Sequence, residues 1–427
     1  MYISNKIKKF LATGMIFALS VSLCEAEIPV DAAIQPIQLN VKTSYYRDGD
    51  GDGDLLWSSK TLVNMVGSGK EKGVAALQDS LWEYNKKANE EYKAVRDKML
   101  KNAKAEKELR RADGSSFFGP YEKLTDVYVR RADTNVTSLL EFYHSYEGGV
   151  HGMYAVFGRN FDSKTGRELE LTDVFTDANM LVGAIEAQLR RDYPNASFMT
   201  DGDNLMERMV EHMILEDKIS WSLDPCGATF YFNPYMIGSY AEGIFNATIL
   251  FDDYPGLFRE KYATMPATYC MELFPYLPVR TCFADGSSTA ITVGGTDSGI
   301  RVEASGEQLF DSGYSGIIRP VLVSMADGRR YIYVDTVEEG ESWECTRAYD
   351  ITNGVPTIVP QKSWVSRRAD VPENYKEAVN NKNREKNFYV MSDVNDIWMT
   401  LFDEKGGQAT KASFKIGQGG GLLVKQQ

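Results

Sequence analysis

Between residues 77 and 99 apolar side chains recur at steps of three and four: Leu77, Leu81, Tyr84, Ala88, Tyr92, Val95 and Met99, with Lys and Glu between them. That period predicts one long amphipathic helix that starts after Gly73 and ends at Asp113-Gly114. Residues 38–57 read as two short strands around the turn RDGDGDGD, and residues 121–129, 137–146 and 153–162 as three more. Two amphipathic helices follow, at about 177–193, stopped by Pro194, and at about 204–216, with Leu205, Met209 and Met213 on one face. Strands resume at 228–232 and 244–251.

Beyond Pro275 the pattern changes to short strands between turns, at 289–293, 300–304, 321–325, 330–335 and 345–351, with Asp327-Gly328 and Asn353-Gly354 as hairpin markers. A polar stretch over 369–386 predicts a helix or linker, and a further hairpin precedes the glycine-rich end. The fold class expected is α+β, an antiparallel sheet with packed helices, followed by an all-β C-terminal domain. The implied domains span 27–265 and 275–427.

Residues 1–26 have the pattern of a signal peptide: Lys6, Lys8 and Lys9, then an apolar run from Phe10 to Leu23, then Cys24-Glu25-Ala26 with a small residue at the cleavage point. This predicts an exported protein, periplasmic, at the cell surface or extracellular. No later window is apolar for long enough to predict a membrane span. Removing this segment takes three lysines and one glutamate from a chain of 47 basic and 60 acidic residues, leaving a net charge of −15. Such a surface repels nucleic acid and attracts a cationic partner. Cys226, Cys270, Cys282 and Cys345 then form an even set, which in an exported protein permits two disulfides. Order along the chain suggests pairing Cys226 with Cys270 and Cys282 with Cys345.

The chemical motifs are sparse. There is no Gly-x-Ser-x-Gly and no Ser-x-x-Lys to place a nucleophile, and GSGKE at 67–71 lacks the parts of a phosphate loop. Asp48, Asp50 and Asp52 match positions 1, 3 and 5 of a calcium loop, with Gly53 at 6, but position 12 is Ser59 rather than a bidentate glutamate. Calcium at these three aspartates competes with a plain acidic turn. Asp252-Asp253 in ILFDDYP resembles a polysaccharide deacetylase signature without its histidine pair. His144 and His151 flank a Glu-Gly-Gly turn, which fits a metal or acid-base site less well than a hairpin whose glycines take positive φ.

Taken in order, YEGGVHG at 146–152, NFDSKTGRELELTDVF at 160–175 and FNPYMIGSYAEGIF at 232–245 resemble the extracytoplasmic domain of RsiV, a lysozyme-sensing anti-sigma factor. The same domain occurs in the N-terminal part of PdaC-type peptidoglycan deacetylases. The resemblance covers roughly residues 37–262 and implies an α+β domain at the cell envelope that binds a protein or glycan, lysozyme or peptidoglycan. The ligand-binding residues it suggests are Tyr146, Glu147, His151, Asn160, Asp162 and Tyr235. The all-β half belongs to neither architecture. The function expected is non-catalytic binding. The alternative is a cell-wall polysaccharide-modifying enzyme using acid pairs such as Asp252/Asp253 or Asp162/Asp173.

Overall fold

The structure, a computed structural model, describes residues 34–114, 118–198, 205–215, 219–283, 285–338, 344–360, 383–402 and 409–425. The signal-like segment, most of the polar stretch at 369–386 and the side chain of Cys345 lie outside them. Among the described residues no helix is long and apolar enough to cross a membrane.

The chain is α+β. Its first sheet contains β1 (Leu39–Asp50), β2 (Gly53–Met65), β3 (Tyr121–Ala132), β4 (Val136–Tyr146) and β5 (Met153–Asp162), hydrogen-bonded in that order. β1 and β2 run the full length of a hairpin, well beyond the short strands expected, because Leu39, Val41, Val63 and Met65 carry the alternating buried face on to its open end. Between β2 and β3 runs α1 (Ala75–Ala112), as the 3–4 spacing requires, and it carries the chain over so that β3 pairs parallel to β2. Leu77 and Leu81 seat its first turns on Val63, Val127 and Leu139, while Met99 and Ala103 meet Leu55, Leu56 and Tyr121 further along.

After a single helical turn, Leu171–Val174, come α2 (Ala178–Asp192) and α3 (Leu205–Val210), which pack on a three-stranded antiparallel sheet of β6 (Ser220–Asp224), β7 (Gly227–Phe232) and β8 (Phe245–Leu250). α3 is shorter than the sequence suggests, since residues 211–215 widen into a π turn. This sheet stacks against β5. Gly158 makes that approach possible, because a Cβ there would lie 1.7 Å from the Trp221 carbonyl oxygen.

Among its described residues the second half is all β. One sheet contains β10 (Val279–Cys282), β11 (Ser288–Gly295), β12 (Gly299–Ala304) and β13 (Glu307–Ser312). Another is ordered β17-β16-β15-β14-β9, from β9 (Tyr269–Glu272), β14 (Tyr314–Ser324), β15 (Arg330–Glu338), β16 (Glu344–Asp350) and β17 (Thr357–Ile358). β18 (Asn383–Tyr389) returns to pair with β1, so the first sheet takes its edge strand from beyond residue 275. β19 (Ile397–Phe402), β20 (Ala409–Ile416) and β21 (Leu422–Val424) make a last small sheet.

Candidate functional site

The glycine-rich motif is the connection between β4 and β5, and its residues divide into scaffold and surface. Gly148 and Gly149 take φ of 86° and 98°, the left-handed region where a Cβ is penalised. At Gly152 a Cβ would lie 2.5 Å from the ring of His144, so only glycine lets the chain pass. Tyr146 ends β4 and donates its hydroxyl to the Gly149 carbonyl at 3.2 Å, tying the loop to the strand, while Glu147 stands exposed.

His151 leaves this loop and stacks on Tyr240, with ring centroids 3.9 Å apart and planes at 20°. Its Nδ1 lies 2.9 Å from the Gly152 carbonyl oxygen, which also accepts from the Tyr240 hydroxyl at 2.5 Å. Tyr240 in turn meets Tyr154 edge-on at 5.5 Å and Tyr235 at 5.8 Å. The result is a four-ring platform assembled from the β4–β5 connection, β5 and the β7–β8 connection. Tyr235 is half exposed, and Val150 and Met153 beside the motif are exposed as well. Tyr235 also sits at φ 71°, a region non-glycine residues rarely enter, and its amide is held by the Gly238 carbonyl at 3.1 Å. The His144 ring points elsewhere, 3.5 Å from Glu122, so the two histidines do not converge.

The other two suggested ligand residues, Asn160 and Asp162, are buried and hydrogen-bonded within the fold. Asn160 is 2% exposed; its Oδ1 accepts from the Ser138 hydroxyl and the Leu223 amide, and its Nδ2 donates to the Trp221 carbonyl. Asp162 accepts from the amides of Lys164 and Thr165, from Lys261 and from the Tyr262 hydroxyl. Burial alone would raise its carboxyl, but these donors hold it below the ordinary range. Asp173 accepts from two nitrogens of Arg167, and Asp253 accepts from Arg280. Each calcium-loop aspartate has a cation of α1 for a partner: Arg96 grips Asp48 at 2.5 and 2.9 Å, Lys107 reaches Asp50 at 2.7 Å, and Arg111 reaches Asp52 at 2.5 Å.

Sequence reasoning missed a second feature, a narrow cleft between α1 and the β2–β4 face, walled by Tyr84, Tyr92 and Tyr143 and with room for about 40 Å³. Glu141 lies at its base, where burial raises its carboxyl despite hydrogen bonds from Tyr84, Tyr143 and Arg159. The tyrosines were visible as part of the helix stripe, but no spacing rule places Glu141, a strand residue flanked by apolar neighbours, beneath them.

Residues 172–252 match a protein family of unknown function, DUF3298. No curated protein matches the chain. Solved structures similar to it include a DUF3298 family member from Bacteroides fragilis NCTC 9343, 22% identical, covering 53% of this chain and 94% of that one at a TM-score of 0.38. A DUF3298 family protein from Pseudomonas aeruginosa PAO1 is 12% identical, covering 54% of this chain and 98% of that one at a TM-score of 0.36. The DUF3298 segment supplies α2, α3 and the β6–β8 sheet, together with Tyr235 and Tyr240 of the platform. His151 and Tyr154 come from the strand pair that precedes it, so the platform spans the seam between the DUF3298 domain and the first sheet.

Proposed function

We propose that the chain is a non-catalytic, exported envelope protein that binds a cell-wall glycan on the platform formed by His151, Tyr154, Tyr235 and Tyr240. One observation carries this reading: Tyr235 is held at φ 71° with its ring half exposed and continuous with a stacked pair of rings. Strained residues persist where the surroundings over-determine them, and such positions gather at binding sites. Aromatic rings with a polar edge suit the apolar face of a pyranose, and a rigid ring loses little entropy on contact. Export rests on the basic and apolar pattern of residues 1–26.

A second reading, a cationic protein such as lysozyme, is favoured by the charge of −15 left once that segment is removed. Titrating the chain with soluble peptidoglycan fragments and, separately, with lysozyme at low and high salt distinguishes the two. The glycan reading expects saturable, salt-insensitive binding of the fragments that Tyr235→Ala weakens by roughly tenfold. Salt-sensitive retention of lysozyme alone supports the second reading, and binding of neither overturns both.

A further inference from the structure

Cys226 occupies the tight turn between β6 and β7, and Cys282 is the last residue of β10. They are 56 positions apart, yet the Cys226 sulfur accepts the Cys282 amide hydrogen at 3.2 Å and lies 3.6 Å from the Cys282 carbonyl oxygen. Both side chains belong to one buried cluster with Leu250, Val279 and Phe283. Cys270 faces a different cluster, with Val321, Tyr331 and Met391. The sequential pairing of Cys226 with Cys270 gives way to this one because on β9 it is Tyr269 that faces the Cys226 sulfur, and its neighbour Cys270 points to the opposite side of the sheet. Cys226 and Cys282 are not joined by a disulfide in this structure.

We propose that Cys226 and Cys282 are a redox-active pair that closes to a disulfide in the oxidised protein, latching the DUF3298 domain to β10. A disulfide needs Cα atoms within about 7 Å and Cβ vectors that converge. The Cys226 sulfur already touches both the amide and the carbonyl of Cys282, which brings the two residues side by side. The oxidant is a disulfide of the dithiol-exchange class, either a small molecule or a protein. Cys226 loses its proton and attacks one sulfur of the oxidant, expelling the other as a thiolate. Cys282 then loses its proton and attacks the Cys226 sulfur of the mixed disulfide, expelling the second oxidant thiolate. Two protein thiols give up two protons and two electrons, and the oxidant's disulfide becomes two thiols.

The surroundings assign the order. Burial alone would raise the Cys226 thiol, but hydrogen bonds with Cys282 and Thr281 bring it below the ordinary range, whereas contact with Cys226 and burial push Cys282 up. The Cys226 sulfur accepts the Cys282 amide hydrogen and lies 2.9 Å from the Thr281 hydroxyl, contacts that favour its thiolate for the first attack. Since both are buried, exchange takes place before β10 covers the turn or when it lifts away.

The test is to refold the full chain in a buffer of reduced and oxidised glutathione, alkylate the remaining thiols and map the peptides by mass spectrometry. The expected map joins Cys226 to Cys282 and leaves Cys24, Cys270 and Cys345 alkylated. Cys270→Ser keeps the crosslink, and Cys226→Ser abolishes it. The oxidised chain melts several degrees above the same chain after reduction. Cys226 left alkylated, or joined to Cys270 or Cys345, in chain that melts cooperatively overturns the proposal. If refolding fails, the same map on chain exported to the periplasm of an expression host decides the matter by the same criteria.

Discussion

At Tyr235 a bulky side chain occupies backbone space that suits glycine, at a cost of about 1 kcal/mol. Tyr235→Gly should therefore leave stability unchanged or raise it by up to about 1 kcal/mol in urea titrations, while removing the exposed ring weakens ligand capture. A variant that is both less stable and unimpaired in binding would contradict the platform reading. His151 behaves differently from a buried turn residue. Its ring is exposed and stacked, so His151→Ala should lower stability by less than about 1 kcal/mol. The carboxyls at Glu141 and Asp162 are displaced in opposite directions, and so are their pH dependences. Glu141 is raised, so above its ordinary value the folded chain retains a proton that the unfolded chain has lost, and stability falls as pH climbs through that window. Glu141→Gln should gain on wild type as pH climbs above the ordinary glutamate value. Asp162 is lowered, so its contribution is present above the ordinary carboxylate range and lost as pH falls through the folded value. Asp162→Asn should cost about 2 kcal/mol at pH 7 and progressively less toward pH 2. Urea midpoints across that range check both signs.

At the scale of elements, α1 shows what periodicity reveals and what it hides. Its stripe of Leu77, Leu81 and Met99 was legible because burial repeats with the helical turn, and β4 and β5 were legible because β-branched and aromatic residues fill two runs on either side of a glycine-rich turn. The role of RDGDGDGD was not, since its partners Arg96, Lys107 and Arg111 lie 48 to 59 residues away on a helix face that reads as ordinary solvated charge. The hairpin tip and the far end of the helix form a clip. Lys107 holds Asp50 below its ordinary range, first through their hydrogen bond and then with help from the Asp52 amide. Replacing Asp48, Asp50 and Asp52 together by Asn should speed amide exchange over Met99–Ala112 without moving the rest of the fold, and the effect should shrink in high salt. Added calcium should leave the wild-type melting temperature where it is. A rise of several degrees, lost in the triple variant, would show that the ion displaces the clip. β18 was illegible for a similar reason: nothing in a local pattern says that a strand pairs with one more than 300 residues earlier.

For the whole molecule, the expected boundary at 265–275 is crossed by a buried ionic seam. A bulge between Val129 and Arg131 in β3 turns two consecutive arginines inward. Arg130 takes both oxygens of Asp224 at 3.0 and 2.7 Å and donates to the Glu272 carbonyl at 2.8 Å. Arg131 bonds Asp133 at 2.6 Å. From the second half, Arg319 in β14 takes both oxygens of Glu272 at 2.6 and 2.7 Å and reaches Asp126 at 3.0 Å and the Val127 carbonyl. Glu272 also accepts the Val129 amide at 2.6 Å. Arg130, Asp224, Arg319 and Glu272 are all nearly inaccessible to solvent, so removing one partner strands a charge where water cannot reach it. Arg319→Met should therefore cost about 3 to 5 kcal/mol, whereas Arg319→Met with Glu272→Met should cost less than the two single changes added together. Because β3 and β9 each lose buried partners if the halves separate, wild type should unfold in one transition, with helix signal and tryptophan fluorescence falling together. In Arg319→Met the second half should come away first and split the transition in two. Two well-separated transitions in wild type, or a fragment ending at residue 265 that melts cooperatively by itself, would show that the seam closes a contact between two already folded units.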